Sequence, residues 1–383
     1  MSTLFVVRIL ENRYSENENE YQSGLRGGTM EQHELFDVTV IGGGPAGLYS
    51  TFYSGLREMK TKLIEFQPVL GGKIHVYPEK MIWDVGGQTP ITGAKLIEQL
   101  VEQGKTFDPE IVLNEKIVSM AKEDGIFILT AESGRVHYSK TVIVAGGGGL
   151  LKPRKLTFKG AERYEVSNLN YTVKSLQQFL GKTVIISGGG NSAIDWANEL
   201  ERVAKQVYLT YRKDCLSAHE AQVTQLANSS VVCFLNTSIS KLIASNDHEK
   251  IQCVELTNCA TGETANLQID EVVISHGYEQ DAELFANSQL DIELVDGFYV
   301  KGTAASESNV PGLYAAGDIL KHDGKVNLIS GAFQDAANAV NRAKQYIQPE
   351  AGAVAMVSSH NEVFKARNRE LIQEMFGKRQ AAQ

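Results

Sequence analysis

Two glycine clusters carry the clearest chemistry in this chain. The first is Gly42-x-Gly44-x-x-Gly47, with Pro45 and Ala46 inside it, and it follows the apolar run Phe36-Asp37-Val38-Thr39-Val40-Ile41. Glycine at these spacings lets backbone amides close on a pyrophosphate at a helix N-terminus, where the helix dipole favours negative charge. Glu65 lies 23 residues beyond Gly42, at the end of the next apolar run, and its carboxylate can accept the hydroxyls of a ribose. Strand, glycines, helix-compatible run and acid stand in the order a dinucleotide site requires. An ordinary glycine-rich turn requires none of them.

The second cluster, Gly188-x-Gly190-x-x-Ala193 with Asn191 inside it, repeats this geometry. The counterpart of Glu65 is Arg212, 24 residues beyond Gly188 and followed by Lys213. A carboxylate there would repel a 2′-phosphate, whereas a guanidinium forms charge-assisted bonds to it, so this site reads as selective for NADP(H). The competing reading of Arg212 and Lys213 is a solvated sheet edge. The first site then takes a different dinucleotide, and the downstream pair Gly317-Asp318 points to FAD, because a carboxylate there can accept bonds from the ribityl chain or its phosphate side. Asp318 as a plain helix cap is the alternative. A helix beginning near Gly331 would aim its positive end at the flavin's pyrimidine edge.

These groups need particular elements to hold them. Two βαβ units about 146 residues apart predict two nucleotide-binding sheets, an α/β chain of two Rossmann-like domains. Strands are expected at 62–66, 140–145, 182–187, 206–211, 270–275 and 312–316, and helices at 45–57, 193–203 and 331–345. The simplest partition inserts an NADP(H)-binding domain, 153–280, into a discontinuous FAD-binding domain, 34–152 and 281–348. Residues 1–33 read as a polar, flexible extension, and 349–383 as a C-terminal extension with a helix near 361–375.

Composition narrows the function classes. The 383 residues carry 37 Lys and Arg against 46 Asp and Glu, a net charge of −9, which argues against broad nucleic-acid binding. A hydrophobic content of 43% and a mean hydropathy of −0.18 fit a globular chain, and no apolar stretch approaches the roughly 20 residues that span a bilayer. The start lacks a secretory signal pattern, so a cytoplasmic location is expected. The four cysteines, Cys215, Cys233, Cys253 and Cys259, form no Cys-x-x-Cys, and the histidines show no metal-ligand spacing.

Together, Gly42–Gly47, Gly188–Ala193, Tyr211-Arg212-Lys213 and Gly317-Asp318 resemble the low-molecular-weight thioredoxin-reductase group over about residues 35–348. That group carries a redox Cys-x-x-Cys shortly before the second glycine turn, where this chain reads Ser167-Asn168-Leu169-Asn170-Tyr171-Thr172-Val173. The missing dithiol resembles instead the thioredoxin-reductase-like ferredoxin/flavodoxin–NADP⁺ reductases. Two further stretches carry that resemblance: Gly71-Gly72-Lys73-Ile74-His75-Val76-Tyr77-Pro78-Glu79-Lys80 and the tail Val357-Ser358-Ser359-His360-Asn361-Glu362-Val363-Phe364.

The resemblance implies that Gly72 and Lys73 lie at the FAD site. It also implies that Tyr77 stacks on one flavin face, that His360 covers the other, and that the protein is a homodimer. By residue type alone, Tyr77 is equally core filler and His360 a solvated loop or cap. The implied cycle carries electrons from NADPH through FAD to ferredoxin or flavodoxin, with no membrane or nucleic-acid partner and with movement of the tail or the inserted domain. Lys152, Arg154, Lys155, Lys159 and Arg163 are the expected basic rim for an acidic carrier. A general NADPH diaphorase, a thioredoxin-reductase-like enzyme and a non-catalytic flavin redox sensor are the rival readings.

Overall fold

A computed structural model describes residues 34–149, 152–356, 361–362 and 364–381. The first apolar run forms β1 (Leu35–Ile41), followed by helix α1 (Pro45–Leu56) and β2 (Thr61–Ile64). Val38 and Val40 are fully buried, and all four β2 residues are buried, as expected of parallel strands covered on both faces. Helix α2 (Gly93–Gly104) then leads to β3 (Glu110–Val112). Next come β4 (Ile117–Glu123), β5 (Ile126–Ala131) and β6 (Val136–Val144), an antiparallel meander.

Strand order in this seven-stranded sheet is β3-β2-β1-β6-β5-β4, and the seventh strand comes from far along the chain. Leu313–Ala315 pairs in parallel with β6, placing Leu313 opposite Val142 and Ala315 opposite Val144. The long helix Ile329–Ile347 returns over the same sheet, with Ala332, Ala336, Ala339, Val340 and Ala343 buried. Its alanine face allows close approach to α1 and the sheet, and these elements share one apolar core.

The intervening chain builds a second lobe. Here β7 is Leu169–Asn170, β8 Thr183–Ser187, α3 Asn191–Leu200, β9 Gln206–Thr210, α4 Glu220–Ala227 and β10 Val232–Phe234. An antiparallel sheet follows, β11 (Thr237–Ala244), β12 (Ile251–Asn258) and β13 (Thr264–Gln268), and β14 (Glu271–Ile274) returns to the parallel sheet. The parallel order is β10-β9-β8-β14-β7. One face packs on α3 and α4, and the other on the antiparallel sheet through Ile185, Val272, Ile239 and Val254.

The sequence predicts a helix over 193–203, but α3 begins at Asn191 because extended Gly190 already caps it. The return helix likewise starts at Ile329, two residues before Gly331. The two lobes are joined by an antiparallel ribbon in which Pro153 pairs with Tyr278, the Glu279 amide donates to Lys152 O, and the Arg154 amide donates to Gly277 O.

Candidate functional site

The carboxyl ends of both parallel sheets open onto one cleft of about 1400 Å³. Gly42, Gly44, Pro45, Ala46, Glu65, Gly72, Lys73, Tyr77 and Asp318 line it from the first lobe, and Gly188, Gly190, Asn191, Ala193, Arg212 and Lys213 from the second. Gly47 stands behind the wall. A Cβ there would lie 1.7 Å from the Gly42 carbonyl oxygen, so this glycine permits helix and strand to pack.

The first turn is shaped by contact as much as by conformation. Gly42 has φ +110°, and a Cβ on it would meet Ala145 O at 2.5 Å. Gly44 caps α1 with no side-chain bond and Pro45 follows at the first turn, so the amides at this helix start face the cleft without a side-chain acceptor. The loop at Gly71-Gly72 presses on the turn: the Gly71 amide donates to Gly43 O at 2.9 Å, and a Cβ on Gly72 would stand 2.7 Å from Gly44 Cα. Glu65 is buried and accepts from the amides of Gly43 and Gln67, at 2.5 and 2.7 Å. Burial pushes its carboxyl above the usual carboxylate range, against the pull of those amides.

Asp318 reaches the same place from the far end of the chain. Gly317 has φ +79°, a Cβ on it would stand 3.0 Å from Ala46 Cβ, and its amide donates to Asp335 Oδ2 at 3.0 Å. Asp335 is itself buried and paired with buried Lys325 at 2.5 Å. The sequence reading missed this support. The available signal was an acid on the alanine face of the return helix, where Ala332, Asp335, Ala336 and Ala339 all turn inward.

Tyr77 follows the 3₁₀ turn Gly72–Val76 and packs against the cores of both lobes. Burial, with the charges of Asp318 and Asp84, pushes its phenol up to about 12, so it stays neutral across the working pH range. The Lys73 ammonium lies 5.8 Å from the centre of the Tyr278 ring. Asp84 also lines the cleft, whereas Trp83 turns out to solvent, 75% exposed. His360 lies outside the described residues.

At the second turn Gly188 has φ +152°, and a Cβ there would meet Ser275 O at 2.5 Å. Buried Ala193 fills the place that Gly47 holds in the first unit. Asn191 Oδ1 accepts from the His219 amide at 2.9 Å and so fixes the loop that crosses above the turn. Arg212 and Lys213 are exposed at the cleft mouth beyond β9. Neither has an ion-pair partner among the described residues, so their charge is available to an anion.

The lobes also touch through side chains that lie far apart in sequence. Lys80 pairs with Asp195 on α3, lies 3.8 Å from Glu199, and sits 5.5 Å from the Trp196 ring centre. Thr172 Oγ1 donates to Val76 O at 3.0 Å, and the Leu176 amide to Glu79 Oε2 at 3.2 Å. Neither spacing nor residue type marks these contacts in the sequence.

The structure pairs part of the expected basic rim. Lys152 is paired with Glu279 and Lys155 with Glu165, Arg154 is turned to the Tyr278 carbonyl, and Arg163 lies over the Tyr164 ring. Acids thus offset two of the five charges, Lys152 and Lys155, while Arg154, Lys159 and Arg163 have no ion pair among the described residues. All four cysteines are free, with Cys253 buried and the other three exposed. Among the described residues no group of three or more acids, histidines and cysteines could hold a metal ion, and no helix is long and apolar enough to cross a membrane.

Comparison with known proteins agrees with this geometry. Residues 36–343 match the family model described as pyridine nucleotide-disulphide oxidoreductase. The chain is 77% identical over 347 residues to "Ferredoxin--NADP reductase 2" of Exiguobacterium sibiricum, covering 90% of this chain and 99% of that protein. It is 72% identical over 347 residues to "Ferredoxin--NADP reductase 1" of Bacillus mycoides, with the same coverage. Among solved structures, Lactococcus lactis thioredoxin reductase superposes with a TM-score of 0.70 at 25% identity, over 82% of this chain and 99% of that one.

Proposed function

Because the chain belongs to the pyridine nucleotide-disulphide oxidoreductase family, we propose that its two unlike turns hold FAD and NADP(H), and that it is a ferredoxin (or flavodoxin)–NADP⁺ oxidoreductase. The observation that carries this reading is the cleft onto which both glycine turns open, one backed by a buried acid, Glu65, and the other by Arg212 and Lys213, which have no ion-pair partner among the described residues.

The residues present fit both groups. The turn at Gly42–Gly47 and the amides at the start of α1 would hold the FAD pyrophosphate, Glu65 the adenosine ribose, and Asp318 the ribityl side, with Gly72 and Lys73 closing over them. When bound, FAD accepts a hydride from NADPH and delivers the electrons singly to a carrier protein. Tyr77 would supply a neutral aromatic face beside it and exclude water from the junction of the lobes. Gly188–Ala193 and Asn191 would hold the NADP pyrophosphate, and Arg212 and Lys213 its 2′-phosphate. The chain supplies distance, stacking and field, and none of these steps calls on a protein nucleophile or general base.

Residues 34–152 with 281–348, and 153–280, are read as the FAD and NADP(H) domains, with the ribbon at Pro153 and Tyr278 as the hinge about which they rotate. His360 is proposed as the cover over the second flavin face. The C-terminal helix Phe364–Ala381 exposes Leu371, Ile372, Met375 and Phe376, which supports a homodimer in which a second copy buries them. Three exposed free thiols support a reducing, cytoplasmic setting.

A thioredoxin reductase is the rival reading. Catalysis there needs a dithiol pair, and the stretch 167–173 holds no cysteine. The deciding experiment is steady-state turnover of the purified protein with ferredoxin, flavodoxin and thioredoxin, each with NADPH and with NADH. Yellow protein that reduces ferredoxin or flavodoxin with NADPH is expected. Protein that cannot be loaded with FAD, or that serves thioredoxin alone, would overturn the proposal.

A further inference from the structure

The second lobe contains one polar pair that the reading above leaves unused. Ser187, the last residue of β8, is buried, and its Oγ lies 2.9 Å from Nε2 of His276, just beyond β14. These two strands are neighbours in the parallel sheet, Ser187 standing opposite Ile274. The chain leaves β8 through Gly188 and α3 toward β9, and it enters β14 on the opposite side, so the sheet order diverges between them. In open parallel sheets that divergence is where ligands bind.

His276 is held at this point by contact. Gly188 packs so closely on Ser275 O that a Cβ would meet it at 2.5 Å, and His276 is the next residue. The ring is exposed into the cleft that Gly188, Gly190 and Arg212 also line. Ser187 on β8 is its hydrogen-bond partner, and Arg212, beyond β9, is the charged group whose field reaches it.

Resting on the assignment of NADP(H) to this turn, we propose that His276 is an anion-contacting residue of the dinucleotide site and takes up a proton when a phosphate of the dinucleotide binds. In the free protein, packing on its Ser187 side removes part of its hydration and Arg212 adds like charge, and both hold the imidazole below its ordinary range. At neutral pH the ring is therefore uncharged. A bound phosphate offsets the Arg212 charge and offers an acceptor, so the bound ring titrates at higher pH than the free one. The proton comes from solvent, and no bond of the dinucleotide is broken. The sign follows: affinity rises as pH falls through the window between the bound and the free pKa, by up to about tenfold per unit. Above that window His276 contributes no charge to binding.

The test is calorimetric titration of the FAD-loaded protein at pH 6.5 in buffers of different ionisation enthalpy, using NADP⁺, NAD⁺ and 2′,5′-ADP, for wild type and His276→Asn. The 2′-phosphate itself titrates near pH 6 and releases protons on binding, so the readout is the difference between the two proteins. Wild type is expected to take up more protons on binding than the variant. An excess with NADP⁺ and 2′,5′-ADP alone assigns the contact to the 2′-phosphate, and an excess with NAD⁺ as well assigns it to the pyrophosphate. No excess with any of them overturns the proposal. No binding of NADP⁺ to the wild type overturns the assignment of the site, and this proposal with it. If His276→Asn does not fold, proton NMR of wild-type imidazole resonances decides the matter. One histidine pKa must rise when 2′,5′-ADP is added, and the absence of any such rise refutes the idea.

Discussion

Lys80→Ala is the perturbation that tests how the two lobes are held. Lys80 comes from the loop that carries Tyr77, and it meets Asp195 and Glu199 on the helix that heads the second nucleotide turn. The Lys80 and Asp195 side chains are each 23% exposed. Fully exposed pairs contribute about 0.2–1 kcal/mol, whereas unpairing a buried charge costs about 3–5 kcal/mol. At this intermediate burial we expect about 1–2 kcal/mol, a factor of roughly 5–30 in the equilibrium between latched and released lobes. The bonds from Thr172 to Val76 and from Leu176 to Glu79 remain, but they report on the same opening.

Hydrogen exchange of the FAD-loaded protein reads this directly. Peptides covering 72–80 and 170–178 should exchange roughly 5–30 times faster in the variant, while those from β1 and β8 keep their wild-type rates. Asp195→Asn should act alike, and the double variant should exchange little faster than either single one, because the two changes remove one interaction. Unchanged exchange at Leu176 in Lys80→Ala, or full additivity of the two variants, would refute the latch.

Other predictions follow from the two turns. Arg212→Glu removes a charge-assisted contact of about 1.5–3 kcal/mol, so kcat/KM for NADPH should fall by about 10–150-fold while that for NADH does not. An unchanged NADPH/NADH ratio would show that Arg212 does not read the 2′-phosphate. Gly42→Ala places a Cβ 2.5 Å from the Ala145 carbonyl oxygen at φ +110°, so the protein should lose flavin on gel filtration and melt at lower temperature. Asp335→Asn leaves Lys325 buried with a neutral partner, and the cost should approach about 3–5 kcal/mol in denaturant unfolding. Combining Asp335→Leu with Lys325→Met should restore stability but leave FAD affinity reduced, since the Gly317 amide then has no acceptor.

Both nucleotide turns were legible in the sequence because their determinants are local. A turn with positive φ, a capless helix start and an acid or base about two dozen residues on all lie within one βαβ unit, whose right-handed crossover brings them together. The late strand that joins the first sheet was legible in part, from the apolar run at 312–316 and Gly317 after it. Helix starts were misjudged by two residues because Gly190 and Leu328, in extended conformation, decide them without a side-chain cap.

Only the tertiary structure could decide the rest. Lys80 and Asp195 are 115 residues apart, Ser187 and His276 are 89 apart, and Arg57 reaches across 284 residues to Asn341. Such pairs depend on which strands become neighbours and how two lobes are set about their ribbon, and no periodicity along the chain encodes either. The basic run after Lys152 shows the reverse: its charges are plain in the sequence, but the acids that neutralise Lys152 and Lys155 arrive only with folding. Chemistry carried by backbone shape could thus be read from residue order, whereas chemistry carried by the meeting of distant side chains required the fold.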